Sequence, residues 1–313
     1  MKICKLEAKK GTKVQGFINI LDTDVKMPVT LINGEREGKT ILITSGIHGA
    51  EYPAIKTAIE LAKEINPSEV SGKIIIVHPV NLEGFEQRKA AIMPRDGKNL
   101  NRVFPGDLKG SISDKIAYVI THEFQDKADF YFDIHGGDVF EDLFPYVYYP
   151  GVASEEVIKI SRDIAKTLNV KYMVKSSATT GSYNSAAIRG VPSILIERGS
   201  LGRCEAEDVN NYKKDMLNAL AVLGALDRKV EENREEPKEI EKVMYIDSEY
   251  KGCWTYFAKA GDLIKKGQKI GEVTDYFGNI LCTYYAEFTG IMLYNTVSLA
   301  VDKGTSLIAY GEI

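Results

Sequence analysis

Short apolar runs alternate with stretches of helical period over the first two-thirds of the chain. Apolar runs of four to six residues suit buried strands, and i, i+3, i+4, i+7 spacing suits helices that pack one face on a sheet. The pattern predicts an α/β fold with helices on the sheet's faces. The predicted strands span 41–44, 73–77, 128–134, 170–174 and 191–197, and the predicted helices follow residue 50, follow Ser113 as N-cap, and span 154–168, 183–189 and 205–228.

The helix after residue 50 has one apolar face, and the spacing predicts that this face is buried. Its members are Ile55, Ala58, Ile59, Ala62 and Ile65. Residues 81–110 are different, because they form a polar stretch with Gly and Pro that is far longer than an ordinary connection of about 4–6 residues. Loops of that length are usually functional or disordered, and the motifs within this one favour function.

The helical period ends near residue 228. Residues 228–242 are charged and interrupted by Pro237, which is typical of a connection between domains. Beyond them Gly recurs between short β-rich runs such as 254–257 and 281–285, a pattern that favours a small all-β barrel or sandwich. The sequence therefore predicts two domains, over residues 1–236 and 237–313.

Composition and charge narrow the class of protein. The 313 residues include 40 Lys and Arg and 44 Asp and Glu, so a formal charge of −4 provides no positive field for nucleic acid. The N-terminus lacks an apolar core of signal-peptide length, and no uncharged apolar run reaches the ~18 residues of a membrane span. We expect a cytoplasmic protein that binds neither nucleic acid nor membrane. Its oligomeric state, a homo-oligomer included, stays open.

Two of the four histidines have neighbours typical of a metal site. His48 and Glu51 stand three residues apart between a predicted strand and helix, and His135 follows another predicted strand in DIHGGD. Ligands collect outside the carboxyl ends of strands in open α/β sheets, and two imidazoles plus one carboxylate leave a fourth zinc position open, as catalysis requires. The plain alternative for His48 and Glu51 is a salt bridge at a helix start. Asp133 is either an acceptor that orients a ligand His or a partner of loop backbone.

Four motifs in order carry a family resemblance: GIHGAE, FEQRKAAIMPRDGKNLNRVFPGD, DFYFDIHGGD and VPSILIERG. They resemble the succinylglutamate desuccinylase/aspartoacylase family of zinc carboxypeptidase-like (M14) proteins over about residues 38–230. The resemblance implies a carboxypeptidase-like α/β/α sandwich with a mixed sheet, one Zn²⁺ per chain, and hydrolysis of an amide in a small N-acylated compound. By the same resemblance, the C-terminal β domain, barrel-sandwich-like, caps the active site.

The resemblance also assigns the residues of the reaction. His48, Glu51 and His135 match the family's zinc ligands, and Glu197 matches its catalytic glutamate. A carboxylate beside a zinc site can take a proton from water and pass it to the leaving amine. The plain alternative for Glu197 is an ion pair with a neighbouring arginine.

Other matched residues concern the substrate. Asn101 and Arg102 correspond to the pair that holds a substrate carboxylate, a task for which a planar guanidinium suits better than Lys. Arg88 matches an FxxR element whose arginine stabilises the oxyanion, and Arg95 competes for that role. Tyr183 is either a hydrogen-bond donor near the site or core packing.

One departure from the family bears on specificity. The aspartoacylase branch has an extra arginine shortly after the residue that matches Tyr183, whereas this chain continues Asn184-Ser185-Ala186-Ala187. N-acetylaspartate is therefore disfavoured. A neutral or basic N-acyl amino acid or an acylated diamine-type compound is at least as good a candidate, and the succinylglutamate reaction stays open.

The sequence thus predicts zinc-dependent hydrolysis of a small N-acyl amino acid. Two alternatives are a metallocarboxypeptidase acting on peptide C-termini and a non-catalytic metal- or ligand-binding protein. Three arginines in one loop, Arg88, Arg95 and Arg102, predict a local positive field that selects a small carboxylate substrate. The C-terminal segment resembles a lipoyl/biotinyl-type sandwich without a modifiable lysine in a tight hairpin, and we interpret it as a structural cap.

Overall fold

A computed structural model of the chain describes residues 1–231 and 235–313. Strands and helices alternate up to residue 222, and strands dominate afterwards. The helices are α1 Tyr52–Glu64, α2 Leu82–Glu86, α3 Ile112–Val119, α4 Glu155–Ala165, α5 Ser182–Ile188 and α6 Ala206–Val222. The strands up to residue 222 are β1 Lys2–Ile3, β2 Leu6–Glu7, β3 Thr12–Asn19, β4 Lys26–Asn33, β5 Arg36–Ser45, β6 Ser71–Val77, β7 Phe130–His135, β8 Glu141–Leu143, β9 Tyr146–Pro150, β10 Tyr172–Ser176 and β11 Ser193–Glu197.

The later strands belong almost entirely to the C-terminal segment. They are β12 Lys238–Ile240, β13 Val243–Asp247, β14 Gly252–Tyr256, β15 Leu263–Ile264, β16 Lys269–Thr274, β17 Ile280–Tyr285, β18 Gly290–Thr296, β19 Ala300–Val301 and β20 Ser306–Glu312. Residues 232–234, within the predicted connection 228–242, lie outside the described residues.

A mixed nine-stranded sheet organises the larger part of the molecule. Its strand order is β12-β10-β9-β11-β7-β5-β6-β4-β3. The central strands β6, β5, β7 and β11 run parallel, whereas β9 pairs antiparallel with β11 and β4 pairs antiparallel with β6. The carboxyl ends of β5, β7 and β11 therefore meet at one edge.

Helices cover both faces of this sheet because the central strands are apolar on both sides. In β5, Ile41 and Ile43 face the core formed with α1, α4 and α6, while Leu42 faces the core formed with α3 and α5. This alternation follows from the two-residue period of a strand. The predicted α/β/α sandwich with a mixed sheet is confirmed.

Several boundaries differ from the sequence prediction. Helix α3 begins at Ile112 after Ser111 as N-cap, rather than after Ser113, because Ser113 lies within the helix and its hydroxyl donates to Asp96 at 2.8 Å. Ile59 is 45% exposed, although its spacing predicted burial, since α1 presents only part of the apolar stripe to the sheet. Helix α6 ends at Val222 rather than near 228.

Other strands gave no clear signal in the sequence. The antiparallel pair β3 and β4, at one end of the large sheet, was not anticipated. Neither was β9, whose sequence YVYYP lies in a stretch for which no element was predicted. The 81–110 stretch is mostly irregular, with α2 and a 3₁₀ turn at Leu100–Arg102.

The two parts of the molecule exchange strands. β12 extends the large sheet beside β10, so the change of sheet lies between Ile240 and Val243, a few residues after the predicted division at 236/237. In return β8, which follows β7, pairs antiparallel with β18 of the C-terminal segment. The predicted small all-β C-terminal unit is confirmed as two packed antiparallel sheets.

The helices are short by membrane standards. The longest in the described residues is α6, with 17 residues. None of the described helices combines the length and the apolar character that crossing a membrane requires.

Candidate active site

Four predicted site residues meet where β5, β7 and β11 end. His48 and Glu51 lie between β5 and α1, while His135 and Glu197 are the last residues of β7 and β11. The parallel register pairs Glu197 with His135, so their side chains leave neighbouring strands side by side. Sheet topology therefore assembles a group whose first and last members, His48 and Glu197, are 149 positions apart in the sequence.

Two glycines allow the backbone to approach closely here. Gly46 turns the chain after β5 with φ +65°, a conformation that residues with a side chain rarely adopt, and a Cβ there would lie 2.4 Å from Pro79. A Cβ on Gly136 would lie 2.3 Å from the Arg198 carbonyl oxygen. The absence of a side chain thus lets the loops after β7 and β11 pack together.

Glu51 lies between the two histidines. Its Oε1 is 2.6 Å from His48 Nδ1 and its Oε2 is 3.0 Å from His135 Nδ1. The ring centroids of the histidines are 5.2 Å apart. One ligand atom from each residue lies within 4.8 Å of the other two, a spacing that can close around an ion whose tetrahedral ligands would stand about 3.3 Å apart.

The opposite nitrogens of the two rings are held by other residues. His48 Nε2 lies 3.0 Å from Asn99 Oδ1, and His135 Nε2 lies 3.3 Å from Asp133 Oδ1. Asp133 in turn accepts from the Thr44 hydroxyl at 2.8 Å. Of the two interpretations of Asp133, this geometry favours the acceptor that orients a ligand histidine. Both Nδ1 atoms are left facing Glu51.

The charges of this cluster depend on one another. Burial alone would raise the pKa of Glu51, but the positive charges of His135 and His48 lower it to about 2. Burial likewise opposes a charge on His135, yet Glu51 and Asp133 hold its pKa well above the ordinary value. Glu51 Oε2 and His135 Nε2 are buried without a well-aligned hydrogen bond. Such a donor set, with an unsatisfied carboxylate oxygen at its centre, fits a divalent cation.

A tyrosine from α6 fixes the strand ends behind the cluster. The Tyr212 hydroxyl donates to the Ile196 carbonyl at 2.6 Å and accepts from the His135 N–H at 3.1 Å. Next to it, Arg198 and Asp215 form a buried ion pair at 2.5 Å. Neither contact was predicted, because both depend on how α6 lies across the sheet.

A cleft of about 980 Å³ opens in front of the cluster. Residues on both sides of the change of sheet line it, with Tyr245, Asp247, Thr296 and Ser298 among those from the C-terminal segment. The Tyr245 hydroxyl lies 3.0 Å from that of Tyr148 on β9, so the two parts meet through a hydrogen bond at the cleft wall. Because the C-terminal segment forms part of the cleft wall, its position limits the size of ligand that can enter.

Three of the predicted substrate residues line the cleft. Asn101 is buried and its Oδ1 accepts from the Ser182 N–H at 2.9 Å, which ties the long loop to the start of α5. Tyr183 is buried beside Tyr148, with ring centroids 6.4 Å apart. Arg102 is exposed to the cleft and makes no ion pair within the described residues.

The other two arginines lie elsewhere. Arg95 forms ion pairs with Asp24 at 2.6 Å and Glu83 at 2.5 Å, and it does not line the cleft. Arg88 is exposed just after α2 and also lies outside the cleft lining. Their roles at an oxyanion stay predictions that this arrangement does not support. Lys89, next to Arg88 in sequence, does line the cleft, as Arg102 does.

Two carboxyl groups of the cleft were not predicted. Asp138 is 7% exposed, and Glu141 stands on β8 opposite Thr296. Burial, together with the negative charge of Asp138, raises the pKa of Glu141 to about 7. Asp138 closes the DIHGGD motif and so carried some signal, whereas nothing in the sequence distinguished Glu141 from the adjacent Asp142.

Known proteins resemble this chain over nearly its whole length. Residues 37–223 match the succinylglutamate desuccinylase/aspartoacylase catalytic domain family. An N-alpha-acetyl-L-2,4-diaminobutyric acid deacetylase from Halomonas elongata is 27% identical over 297 residues, covering 92% of this chain and 86% of that protein.

Solved structures share the fold. The product-bound ectoine utilization protein EutE (DoeB) from Ruegeria pomeroyi superposes with a TM-score of 0.87 at 24% identity, covering 99% of this chain and 98% of that one. A succinylglutamate desuccinylase/aspartoacylase from Rhodobacter sphaeroides superposes with a TM-score of 0.87 at 23% identity, covering 100% and 99%.

Proposed function

The chain belongs to the succinylglutamate desuccinylase/aspartoacylase family, and from that premise we propose that it is a zinc-dependent deacylase of a small N-acyl amino acid. One observation carries the proposal. His48, Glu51 and His135 bring three ligand atoms together at the bottom of a cleft, and the register of β11 sets Glu197 beside them. A ligand set alone would suit a binding protein, whereas the adjacent carboxyl favours catalysis.

His48 Nδ1, His135 Nδ1 and the Glu51 carboxylate would hold the metal. Zinc bound there supplies Lewis acidity, which polarises a carbonyl and makes water acidic near neutral pH. Asn99 and Asp133 keep the two imidazole rings in the orientation that presents Nδ1. Because these contacts exist before any ligand arrives, the donor set needs little reorganisation on binding.

Glu197 is the proposed general base and acid. Burial raises its pKa well above the ordinary value, with Glu51 and Glu141 adding to the effect and His135 opposing it. A carboxyl in such surroundings accepts a proton readily, so Glu197 can take one from the attacking water and deliver it to the leaving nitrogen. This second transfer matters because an amine leaves an amide only once it is protonated.

The proposed binding site for the substrate's carboxylate consists of Asn101, Arg102 and Tyr183. Arg102 lacks a carboxylate partner in the described chain, and its guanidinium can bind a carboxylate through two parallel hydrogen bonds. Residues 184–187, which follow Tyr183, contain no arginine like the one that the aspartoacylase branch has shortly after the matching tyrosine, so a second carboxylate in the substrate is disfavoured. The deacetylase from Halomonas elongata is named for acetyl-diaminobutyric acid, a compound with a single carboxylate. This relative supports a substrate that has no second carboxylate.

The C-terminal segment favours a small substrate over a peptide. Tyr245, Thr296 and Ser298 form part of the cleft wall, and a long peptide chain would have to pass them. We therefore place metallocarboxypeptidase activity second. The two activities differ in length preference, because a carboxypeptidase keeps its rate as residues are added on the acyl side.

Metal analysis coupled to an activity panel tests the proposal. Purified protein should contain about one zinc per chain, and it should release free amine from at least one N-acetyl, N-succinyl or N-formyl amino acid, with activity lost to a chelator and restored by zinc. Glu197→Gln should lower kcat by at least ~100-fold while zinc content stays unchanged. Full activity in that variant, or in metal-free protein, would reject the mechanism. Glu241→Gln, at an exposed position away from the cleft, is the matched control.

A further inference from the structure

Asp138 and Glu141 face the cleft without a positive partner. Asp138 Oδ1 accepts from the Phe140 N–H at 2.7 Å, but within residues 1–231 and 235–313 no donor contacts its Oδ2. Glu141 Oε2 is 3.4 Å from the Asp138 N–H, a weak contact. Neither residue forms an ion pair with any described Lys, Arg or His. A side chain more than nine-tenths buried, like Asp138, seldom keeps a charge without a partner.

Arg102 shows the converse arrangement in the same cleft. It is a cation with no carboxylate partner in the described chain, and it lies next to Asn101, which is tied to α5. The charges of Arg102 and of Asp138 and Glu141 do not neutralise one another. Opposite charges that stay unpaired within one cleft are complementary to a ligand that carries both signs.

The two carboxyl groups are held in place by backbone pairing. Glu141 belongs to β8, and its carbonyl oxygen accepts from the Leu201 N–H at 2.8 Å. The Gly137 N–H donates to the Gly199 carbonyl oxygen at 2.9 Å, which fixes the turn between His135 and Asp138. Because the segment that presents these carboxyls is already ordered, ligand binding would lose little conformational entropy in this segment.

We propose that Asp138 and Glu141 form a subsite for a cationic amino group of the substrate. The substrate is then zwitterionic at two separate places, with a carboxylate bound by Arg102 and a free ammonium group bound by the two acids, while the scissile amide faces the metal centre. Acylated diamino acids and aminoacyl amino acids belong to this class. The inference rests on the proposed deacylase function and adds the charge of its substrate.

Carbon-matched pairs of compounds test this subsite. Each pair differs only by one ammonium group: Nα-acetyl-2,4-diaminobutyrate against N-acetyl-2-aminobutyrate, Nα-acetylornithine against N-acetylnorvaline, and β-alanyl against propionyl amides of one amino acid. With zinc-loaded protein, kcat/KM should favour the cationic member of at least one pair by about tenfold or more. Equal rates, or preference for the neutral member in every pair, would overturn the inference while leaving deacylation intact.

Variants at the two acids identify the subsite. Glu141→Gln and Asp138→Asn should reduce the preference to within about threefold, with the loss falling on KM for the cationic member. Asp142→Asn is the matched control, because Asp142 is adjacent but accepts from Ala260 N–H at 3.2 Å and lies outside the cleft lining. If the variants lose zinc but still prefer the cationic member of a pair, the two acids stabilise the bound metal and do not bind the substrate's ammonium group. That result would reject the subsite.

A binding measurement separates this inference from the proposed function. Calorimetric titration of the zinc-loaded protein with 2,4-diaminobutyrate and with 2-aminobutyrate requires no turnover. Tighter binding of the diamino acid, lost in Glu141→Gln, supports the subsite even if no acylated compound is hydrolysed, in which case only the deacylase proposal fails. Equal affinity of the two ligands contradicts the subsite.

Discussion

At the scale of single residues, the candidate centre depends on side chains outside the His48, Glu51 and His135 donor set. Asp133 and Asn99 contact the two histidines at their outer nitrogens, and these contacts decide which nitrogen faces Glu51. The sequence motifs identify the inner residues because their order along the chain is distinctive. They do not identify Asn99, since a loop asparagine has many equally good uses.

Asp133→Asn should weaken zinc binding about 10- to 100-fold, because the amide can no longer support His135 as a carboxylate does. Competition with a chromophoric chelator measures the affinity. Asp163→Asn, on the exposed surface of α4, should leave it unchanged. Equal affinities in both variants and the wild-type protein would show that Asp133 has no influence on the metal.

His78 should make the fold sensitive to acid. Its Nε2 lies 2.8 Å from the Thr30 hydroxyl, and burial lowers its pKa to about 4. Unfolded, it titrates near 6.5. Between these values the unfolded chain binds more protons, so the free energy of unfolding is highest above pH 6.5 and falls as the pH approaches 4.

By linkage, the protonation of His78 lowers the free energy of unfolding by about 3 kcal/mol over this pH range. Urea unfolding at intervals across this pH range measures it. In His78→Gln the decline with falling pH should be smaller by that amount. A parallel decline in His78→Gln and wild type would refute the assignment.

At the scale of elements, packing decides what strand periodicity leaves open. The apolar patterns of β5, β7 and β11 were sufficient to place the proposed metal ligands and Glu197 at one edge. They were not sufficient for Arg88 and Arg95, because the path of a 30-residue loop depends on its contacts with distant segments, such as that of Arg95 with Asp24. Nor does any periodicity predict that β8 pairs with β18, a partner about 150 residues away.

Tyr212→Phe should loosen the ends of β7 and β11 together. The variant removes the hydroxyl that joins α6 to the Ile196 carbonyl and the His135 N–H, which leaves buried backbone groups unsatisfied. We expect a loss of about 1–3 kcal/mol in the free energy of unfolding and a fall in kcat.

Tyr118→Phe provides the control for that experiment. Its hydroxyl makes no hydrogen bond within the described residues, so the change should stay within about 0.5 kcal/mol. Similar denaturant midpoints for both variants would argue that the hydrogen bonds of the Tyr212 hydroxyl do not stabilise the ends of β7 and β11. A lower free energy of unfolding with an unchanged kcat would show that the Tyr212 hydroxyl stabilises the fold but does not affect catalysis.

At the scale of the whole molecule, the two parts share a core as well as a cleft. Leu143 and Tyr146 of the larger part pack with Ile291, Leu293 and other residues of the C-terminal segment. The strands β8 and β12 each complete the sheet of the other part. We therefore expect the two parts to unfold together rather than as separate domains.

Two spectroscopic signals test this coupling. The single tryptophan, Trp254, reports on the C-terminal sheets, while all helices α1 to α6 lie in the larger part. Tryptophan fluorescence and helical circular dichroism should give coincident unfolding curves. Leu293→Ala, in the shared core, should shift both curves by about 2–5 kcal/mol. Two separated transitions would contradict the shared core.

The exchange of β8 has a consequence for how this protein can evolve. Glu141 owes its position to a backbone that belongs to one half of the molecule and to a pairing strand, β18, that belongs to the other. Given the role proposed for Glu141, natural variation in β18 can retune which ligands are accepted without altering any of the residues proposed for hydrolysis. Transplanting the C-terminal segment between relatives as an interchangeable module would therefore transfer part of the selectivity along with the scaffold.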